Sequence, residues 1–322
     1  MPLPPGSGVR VAAIVVTHRG GALLQDCIAS IRAQTRPVDE LLVVVSNTEL
    51  PVDAPSLQLR QNVGFATAAN AGAQATRGEV LLLNDDTRLD ARCVERLVAA
   101  WQGIGVYQPR IQLADGSGRL DNVGLGFLPD ASVWARGRNG PDLPITGVPG
   151  SFSGAAALVA RAAWDGLGGF DERMGNFGED VDLSLRLHRR GVPIQAVPDA
   201  LVVHHLGATW GRASTEKVRL IERNRVRAAV RSLPMTALLC LPTATLLRYA
   251  VLAGLAGLGH GPGAELPDGA RLAALRGLAE GLADAPTWFA DRRRDRSGWT
   301  VGEWAMLTRM WHGRARWEDV SR

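Results

Sequence analysis

Three polar residues that follow one apolar segment of this 322-residue sequence could bind a metal ion. Asn84, Asp85 and Asp86 come directly after the run Glu79 to Leu83, whose composition predicts a buried strand. A carboxylate at the end of such a strand can bind a hard divalent cation, whose other ligands are then water and phosphate oxygens. Aspartate in this position is also a common turn residue and helix N-cap. The motif alone leaves both interpretations open.

A second acidic pair, Glu179 and Asp180, begins the helical pattern Val181 to Arg190. Backbone N–H groups at a helix N-terminus favour negative charge, so we expect both carboxylates to stay ionised near neutral pH. An ionised carboxylate in a cleft can accept a proton from a hydroxyl group. The alternative is the ordinary acidic bias of a first helical turn, which has no chemical role.

A histidine pair, His204 and His205, ends a short predicted strand that starts at Ala200. Neighbouring residues of a strand point to opposite faces, so the two imidazoles must face different surroundings. One of them could bind a metal ion, and a structural hydrogen bond is the alternative.

The elements that would position these residues belong to an α/β fold. Strand-like runs at Val9 to Thr17, Glu40 to Val45 and Glu79 to Leu83 alternate with helical patterns at Ala22 to Gln34 and Ala66 to Thr76. This alternation predicts parallel βαβ units, and the nearly continuous apolar strands predict a sheet covered on both faces. Ligands of such sheets bind beyond the carboxyl ends of the strands.

The motifs taken in order resemble the family 2 glycosyltransferases of the GT-A fold, especially the rhamnosyltransferase-like and galactofuranosyltransferase-like bacterial branch. The resemblance covers roughly residues 9 to 231. It rests on the succession VAAIVVTHR, QNVGFATAANAG, LLLNDDT, GGFDERMGNFGEDVDLSLRLHRRG, VPDALVVHH and ERNR. It implies a Rossmann-like, mostly parallel sheet flanked by helices as a catalytic domain over residues 1–231. Residues 232–322 would then form a helical, basic extension.

The resemblance also implies roles for the acidic residues and the histidines. Asp86 takes the place of the metal ligand, for Mg or Mn, and Asn84 occupies the first acidic position of that motif. Asp180 falls on the position of the catalytic base, with Glu179 beside it to contact acceptor hydroxyls. His204 resembles an additional metal ligand, with His205 in reserve.

Residues that would bind the nucleotide follow from the same resemblance. Ser46 departs from it, because the family usually has Asp before the Asn that is Asn47 here, and this leaves the base of the donor undetermined. Arg223 and Arg225 could hold a diphosphate or an anionic acceptor, or could belong to a solvated helix face. The expected nucleotide-binding set is Thr17, His18, Arg19, Ser46, Asn47, Asn62, Gly64, Asn70, Asn84, Asp85, Arg223 and Arg225.

The expected activity is inverting, metal-dependent transfer of a sugar from a nucleotide-diphosphate donor to a hydroxyl of a glycan or lipid-linked acceptor. A rhamnosyltransferase of cell-surface polysaccharide synthesis fits this description. The alternatives are a catalytically silent sugar- or membrane-binding module and a sugar nucleotidyltransferase, although the loop Thr17 to Gly21 is short for the latter. No G-x-G-x-x-G follows the first strand, which argues against a nicotinamide dehydrogenase.

The C-terminal part differs in composition from the rest. Residues 212–322 contain 18 Lys and Arg against 11 Asp and Glu, a net charge of +7. Met235 to Leu258 is long enough to span a bilayer, but Pro242 and Arg248 lie inside it and disfavour a spanning helix. The pattern from Gly269 to Ala283 places four leucines on one face with arginines nearby, as in helices of membrane interfaces. These leucines are Leu272, Leu275, Leu278 and Leu282. We expect attachment to an anionic membrane surface and no nucleic-acid binding; packing of the leucines on the core is the alternative.

Composition and tryptophan positions complete the expectations. With 46% hydrophobic residues the chain can build a sizeable core, and three separated cysteines without a C-x-x-C pair predict a reducing, cytosolic setting. The first eight residues carry no signal-peptide pattern. We therefore expect a cytoplasmic protein, peripheral on the inner face of the plasma membrane.

Among residues on which a sugar could stack, we expect Trp164 to be buried and Trp210 to serve as the acceptor platform.

Overall fold

The computed structural model describes residues 8–47, 51–141, 145, 147–205, 214–258 and 267–321. The strands are β1 (Val11–Thr17), β2 (Glu40–Ser46), β3 (Ser56–Leu59), β4 (Glu79–Asn84), β5 (Thr87–Leu89), β6 (Val106–Leu113), β7 (Leu120–Asn122), β8 (Leu125–Phe127), β9 (Val133–Ala135), β10 (Ala156–Val159) and β11 (Ile194–His204). The helices are α1 (Ala22–Arg32), α2 (Phe65–Ala75), α3 (Cys93–Ala99), α4 (Arg161–Leu167), α5 (Glu179–Arg189), α6 (Thr215–Ser232), α7 (Met235–Gly257), α8 (Ala270–Ala283), α9 (Ala285–Asp295), α10 (Glu303–His312) and α11 (Trp317–Ser321).

The main sheet has the strand order β3-β2-β1-β4-β10-β6-β11-β5, with β7 paired to β6. Strands β3, β2, β1 and β4 are parallel, as the alternating pattern predicted. Strand β10 runs antiparallel to both β4 and β6, and β5 runs antiparallel to β11, while β6 and β11 are parallel. The sheet is therefore mixed: the prediction of parallel strands holds for its N-terminal half, and antiparallel strands enter beyond β4.

Both faces of the sheet are covered, as its apolar strands predicted. Every residue of β1 is buried. One face packs on α1 and α3, through residues such as Ile28 and Leu97. The other packs on α2, α4 and α5, where Trp164 is 3% exposed, as expected. The helices cover the faces of the sheet, and the candidate site lies at the ends of its strands.

The C-terminal helices share a core with the preceding part of the chain. Val181 and Val226 pack in one cluster with Trp288 and Met306. Arg189 of α5 is fully buried here: its Nε donates to the Ser232 carbonyl at 2.8 Å and its guanidinium lies 4.0 Å from the Trp299 ring centroid. Helices from both parts consequently fold around common side chains.

Helix α8 packs on α6 through small residues and not through its leucines. Its buried positions are Ala270, Ala274, Gly277 and Gly281. Leu272, Leu275 and Leu282 are between 56% and 72% exposed, and only Leu278 is partly buried in the core. The alternative expectation that all four leucines pack on the core is wrong, because the small residues allow the two helix backbones to approach closely.

We predict that Gly277→Ala lowers the free energy of unfolding by about 1–3 kcal/mol through overpacking. A Cβ atom at this position would lie 2.1 Å from the backbone oxygen of Arg219. The matched control is Gly254→Ala in α7, where nothing lies within 4 Å and alanine should stabilise the helix by about 0.5–1 kcal/mol. Urea unfolding of both variants measures the difference; equal effects would contradict the packing described.

Candidate functional site

A cleft of about 520 Å³ lies beyond the carboxyl ends of the parallel strands. This is within the usual range for a small-molecule site. The two acidic groups predicted from the sequence, around Asp86 and Asp180, line this same cleft. Of the predicted residues, its lining contains Thr17, His18, Ser46, Asn62, Gly64, Asn84, Asp85, Asp86, Glu179, Asp180, His204 and Arg225.

The turn between β4 and β5 places Asp86 against His204. Thr87 is paired with His204 in the β5–β11 ladder, so the residue before Thr87 lies beside the imidazole. Asp85, the other carboxylate of the turn, accepts a hydrogen bond from the Thr17 hydroxyl. Burial raises the pKa of Asp85 although this hydrogen bond opposes the shift. The turn thus points its two carboxylates at different partners.

His204 is held between two carboxylates. Its Nδ1 lies 2.9 Å from Asp121 Oδ2 and its Nε2 lies 3.2 Å from Asp86 Oδ1. Burial alone would lower the pKa of His204, but the hydrogen bond to Asp121 and the negative charges of Asp121 and Asp86 raise it to about 9. His205 is exposed, and only its backbone N–H approaches this group, donating to the Asp86 carbonyl at 2.9 Å.

Asp86 and His204 fit a divalent cation. Asp86 Oδ1 is buried without a hydrogen bond of good geometry, although His204 Nε2 lies close to it. Two ligand atoms that face each other in this way suit a shared cation, and carboxylate and imidazole donors suit Mn²⁺. Within the described residues no cluster of three ligating side chains occurs. Phosphate oxygens and water would therefore have to complete the shell.

Helix α5 begins in the cleft with Glu179 and Asp180. Asp180 Oδ2 accepts from the Gly154 N–H at 3.0 Å, and Oδ1 accepts from the Val181 N–H at 2.8 Å. Glu179 Oε2 is buried and has no hydrogen-bond partner. Burial raises the pKa of both groups, and the charge of Asp180 raises that of Glu179 further. Burial therefore opposes the stabilisation of negative charge that was expected from the helix N-terminus, most strongly at Glu179.

Asn224 of α6 fixes the loop that precedes α5. Its side-chain amide donates to the carbonyls of Met174, Asn176 and Phe177 at 2.6–3.1 Å. These contacts hold Phe177 at a φ of 65°, which is uncommon for a residue with a side chain. The asparagine of the ERNR segment therefore fixes the loop before Glu179 and Asp180 through backbone contacts alone.

Four predicted nucleotide-binding residues lie outside the described lining of the cleft. Asn70 is buried and exchanges hydrogen bonds with the backbone of Phe170 at 2.9–3.0 Å, so it joins α2 to a neighbouring loop instead of approaching a nucleotide. Arg223 donates to the Met174 carbonyl at 3.1 Å, because α6 turns it away from the cleft. Arg19 and Asn47 adjoin the lining: Arg19 Nε lies 3.1 Å from His18 Nε2, and the Asn47 side chain donates to the His18 carbonyl at 3.4 Å.

Arg225 lines the cleft as part of a buried charge network. It lies 2.9 Å from Glu222 and 3.4 Å from Asp130. Arg248 of α7 contacts the same two carboxylates at 2.6 and 2.7 Å. Sequence reasoning treated Arg248 only as an interruption of an apolar segment. Arg248 follows Leu241 and Thr245, the two buried residues of α7, at helical spacing. This spacing is the signal that could have predicted that Arg248 faces the interior.

Other residues of the cleft were missed because residues 103–150 show little periodicity. Asp121 of β7 and Arg138 both line it. Trp134 of β9, one of the tryptophans on which a sugar could stack, lines it as well. Trp134 is the tryptophan available to a sugar in the described part of the cleft. Trp210, the expected acceptor platform, lies outside the described residues.

Two family models match the chain. Residues 79–255, more than half of the sequence, match the model described as Glycosyl transferase family group 2, and residues 12–142 match Glycosyl transferase family 2. The chain belongs to the family 2 glycosyltransferases. The membership confirms the expectation of a glycosyltransferase.

Curated relatives of this glycosyltransferase come from the branch that the motifs resembled. N-acetylglucosaminyl-diphospho-decaprenol L-rhamnosyltransferase of Mycobacterium tuberculosis is 30% identical in an alignment of 237 positions that covers 62% of this chain and 77% of that protein. Galactofuranosyltransferase GlfT1 of the same organism is 29% identical in an alignment of 225 positions that covers 62% of this chain and 71% of that protein. The predicted bacterial branch is confirmed.

Solved structures confirm the GT-A fold of the glycosyltransferase. S. aureus TarS 1-349 in complex with UDP-GlcNAc aligns with a TM-score of 0.55 and 13% identity, covering 90% of this chain and 91% of that one. GalNAc-T7 with UDP, GalNAc and Mn²⁺ aligns with a TM-score of 0.53 and 15% identity, covering 69% of this chain and 48% of that one. At these identities the likeness concerns the fold.

We predict that Asp121→Asn weakens Mn²⁺ binding by about 10–100-fold, the usual effect of removing a carboxylate that orients a ligating histidine. Isothermal titration of the purified protein with Mn²⁺ measures the affinity without any turnover. Asp115→Asn, at an exposed position of the β6–β7 turn, is the control and should bind Mn²⁺ like the unaltered protein. An unchanged affinity in Asp121→Asn would show that His204 does not depend on this partner.

Proposed function

We propose that this enzyme is an inverting, divalent-metal-dependent glycosyltransferase that moves a sugar from a nucleotide-diphosphate donor to a hydroxyl of a glycan or lipid-linked acceptor. Rhamnose is the sugar named for one relative, and cell-surface polysaccharide synthesis is the setting that this relative suggests. The observation that carries the proposal is the cleft in which Asp86 and His204 lie together with Asp180, on elements far apart in the chain.

The charge placement in the cleft suits departure of a nucleoside diphosphate. Asp86 and His204 would hold a cation, which when bound neutralises the negative charge that develops on the leaving diphosphate. Thr17, His18 and Ser46, at the ends of β1 and β2, would contact the nucleotide beyond the strand ends.

Asp180 is suited to act as the base. It is only partly buried, and two backbone N–H groups fix its orientation in the cleft. As the acceptor oxygen bonds to the anomeric carbon, the bond from that carbon to the diphosphate oxygen breaks and the acceptor proton passes to Asp180. A single displacement of this kind inverts the anomeric centre.

Glu179 would bind a sugar hydroxyl as a donor. Burial and the neighbouring Asp180 charge raise its pKa well above the ordinary value, which keeps the side chain protonated at higher pH than a surface glutamate. A protonated carboxyl has one O–H to donate, and the unpartnered Oε2 is an atom that can do so.

We predict that Asp180→Asn lowers the transfer rate by about 10²–10⁴-fold, the typical contribution of a general base. Binding of nucleotide should persist, measured as thermal stabilisation by UDP, dTDP or GDP with Mn²⁺. Asp165→Asn, an exposed residue of α4, is the control and should retain activity. Full activity of Asp180→Asn would overturn the proposed mechanism and favour another base.

The pH profile should reflect the raised pKa of Asp180. Since burial raises the pKa of Asp180, its active deprotonated form is lost on acidification at a higher pH than for a solvent-exposed aspartate. The transfer rate should therefore fall on the acidic side at pH values above the ordinary aspartate range, measured from pH 4 to pH 9. A rate that stays constant down to about pH 4, the ordinary aspartate pKa, would contradict this assignment.

The exposed face of α7 suggests how the enzyme reaches a lipid-linked acceptor. Within the described part of the chain, α7 is the one helix whose length and apolar composition would allow it to cross a membrane. Leu239, Leu246 and Leu247 are between 64% and 77% exposed, on the face opposite Arg248 and Thr245. We propose that this face and the exposed leucines of α8 rest on the anionic cytoplasmic surface of the plasma membrane, to which the net charge of residues 212–322 adds attraction.

Replacing Leu246 and Leu247 together by glutamine should reduce binding to vesicles of phosphatidylglycerol and phosphatidylcholine several-fold in a flotation assay, because apolar area is lost from the surface-bound face. Ile104→Gln removes an equally large exposed side chain from a loop after α3 and should leave flotation unchanged. Undiminished flotation of the leucine variant would defeat the proposed role of α7.

A further inference from the structure

The C-terminal end of the chain packs against one wall of the cleft. Residues 313–320, which we call the C-terminal segment, follow α10 and reach the hairpin formed by β8 and β9. The Phe127 N–H of β8 donates to the Gly313 carbonyl at 2.9 Å, and the Ala315 N–H donates to the Phe127 carbonyl at 2.9 Å. The C-terminal segment thus adds a parallel bridge to the edge of β8 that faces away from β9.

A buried carboxylate ties the same segment to the other strand of the hairpin. Asp319 of α11 is 7% exposed. Its Oδ1 accepts from the N–H of Gly137, which follows the end of β9, at 2.8 Å. Its Oδ2 accepts from the Arg316 N–H at 2.9 Å, which fixes the carboxylate on its own segment. The C-terminal segment therefore holds both strands of the hairpin.

Glycines allow the C-terminal segment to approach the hairpin closely. A Cβ atom at Gly126 of β8 would lie 2.5 Å from the backbone nitrogen of Ala315. A Cβ atom at Gly313 would lie 2.5 Å from the Cα atom of Gly150. Contacts this close leave no room for a side chain, so the backbones can meet only where glycine is present.

The hairpin is the wall of the cleft on the side of Asp180. The Leu125 N–H of β8 donates to the Ser151 carbonyl at 2.7 Å, and the Ser151 hydroxyl donates to the Asp180 carbonyl at 3.5 Å. An acceptor hydroxyl must meet Asp180 in the proposed reaction, so an acceptor sugar would lie against this wall. The hairpin residues that line the cleft are Leu125, Ala131, Ser132, Val133, Trp134 and Ala135.

The strand order separates the hairpin from the nucleotide side of the cleft. In the main sheet β1 and β2 lie on one side of β4, whereas β6 and its partner β7 lie on the other side, beyond β10. The hairpin follows β7 directly. Asp86, in the turn after β4, therefore lies between the loops expected to bind the nucleotide and the hairpin.

We propose that the C-terminal segment positions the β8–β9 hairpin as the wall that binds an acceptor consisting of a sugar on an apolar tail, with Asp319 as the positioning residue. The inference rests on the proposed function and adds the part of the chain that sets acceptor affinity. Asp319 is not among the described residues that line the cleft, and it acts through the Gly137 backbone. The half-buried ring of Trp134, on the strand before Gly137, offers apolar surface to the acceptor sugar.

Kinetics with octyl glycosides as acceptors test the role of Asp319. Transfer from UDP-, dTDP- or GDP-sugars to octyl glycosides of glucose, galactose and N-acetylglucosamine gives KM for the acceptor and kcat separately. Asp319→Ala should raise the acceptor KM about tenfold, the usual effect of losing a hydrogen bond to a charged group, and change kcat less than twofold. Glu318→Ala, at the exposed neighbouring position of α11, is the matched control and should behave like the unaltered enzyme.

The donor side separates this role from a general loss of structure. Thermal stabilisation by UDP, dTDP or GDP with Mn²⁺, and slow hydrolysis of the donor without acceptor, should be unchanged in Asp319→Ala. An unchanged acceptor KM, or an equal loss of nucleotide binding, would overturn the positioning role. An unaltered enzyme that hydrolyses a donor but transfers to no octyl glycoside would overturn the acceptor wall and leave the proposed function standing. If no donor is bound or hydrolysed, the proposed function fails with it.

A second variant displaces the C-terminal segment without touching Asp319. Gly126→Ala places a methyl group against Ala315 and should raise the acceptor KM in the same way. Gly166→Ala in α4, where nothing lies within 4 Å, is the control and should leave KM unchanged. Hydrogen exchange measured by mass spectrometry should be faster across residues 125–137 in Gly126→Ala and Asp319→Ala. Faster exchange with an unchanged acceptor KM would refute the proposal, because the segment would then only stabilise the hairpin.

Discussion

The buried contact between His204 and its two aspartates is the interaction on which the site depends. It joins the ends of β7 and β11 to the turn after β4, three segments that the chain brings together from opposite halves of the sheet. Buried charges of this kind are tolerated only when each has a partner. The pairing of Thr87 with His204 in the sheet brings Asp86 beside the imidazole. The register of these strands therefore also determines the geometry of the cleft.

The same requirement explains the network on the other wall of the cleft. Glu222 and Asp130 are buried, and each is neutralised by Arg225 and by Arg248. Because Arg248 belongs to α7, the C-terminal helices complete the cleft as well as the core. Removing one partner would leave an unpaired buried charge, which is among the costliest changes in a folded protein.

The sequence predicted the first half of the sheet because its strands are apolar and alternate with helices. The roles of Asp86 and Asp180 came from the resemblance, since each motif alone also suited a turn or a helix start. Asp121 and Arg138 escaped prediction because the segment around them has no periodicity. The contact of buried Asn70 with Phe170 and the raised pKa values of Glu179 and Asp180 depend on tertiary packing, which one sequence does not display.

Helix α7 has one face towards the cleft and an exposed apolar face on the opposite side, and its width bears on the size of the acceptor. An α-helix with its side chains is about 10 Å across, so a bilayer touching the leucine face would lie about that far from Arg248 at the cleft. A sugar one or two units away from a membrane-bound carrier spans such a gap, whereas the distal end of a long polymer would extend past it. With α7 on the membrane as proposed, this spacing favours an acceptor whose reacting sugar lies close to its membrane anchor.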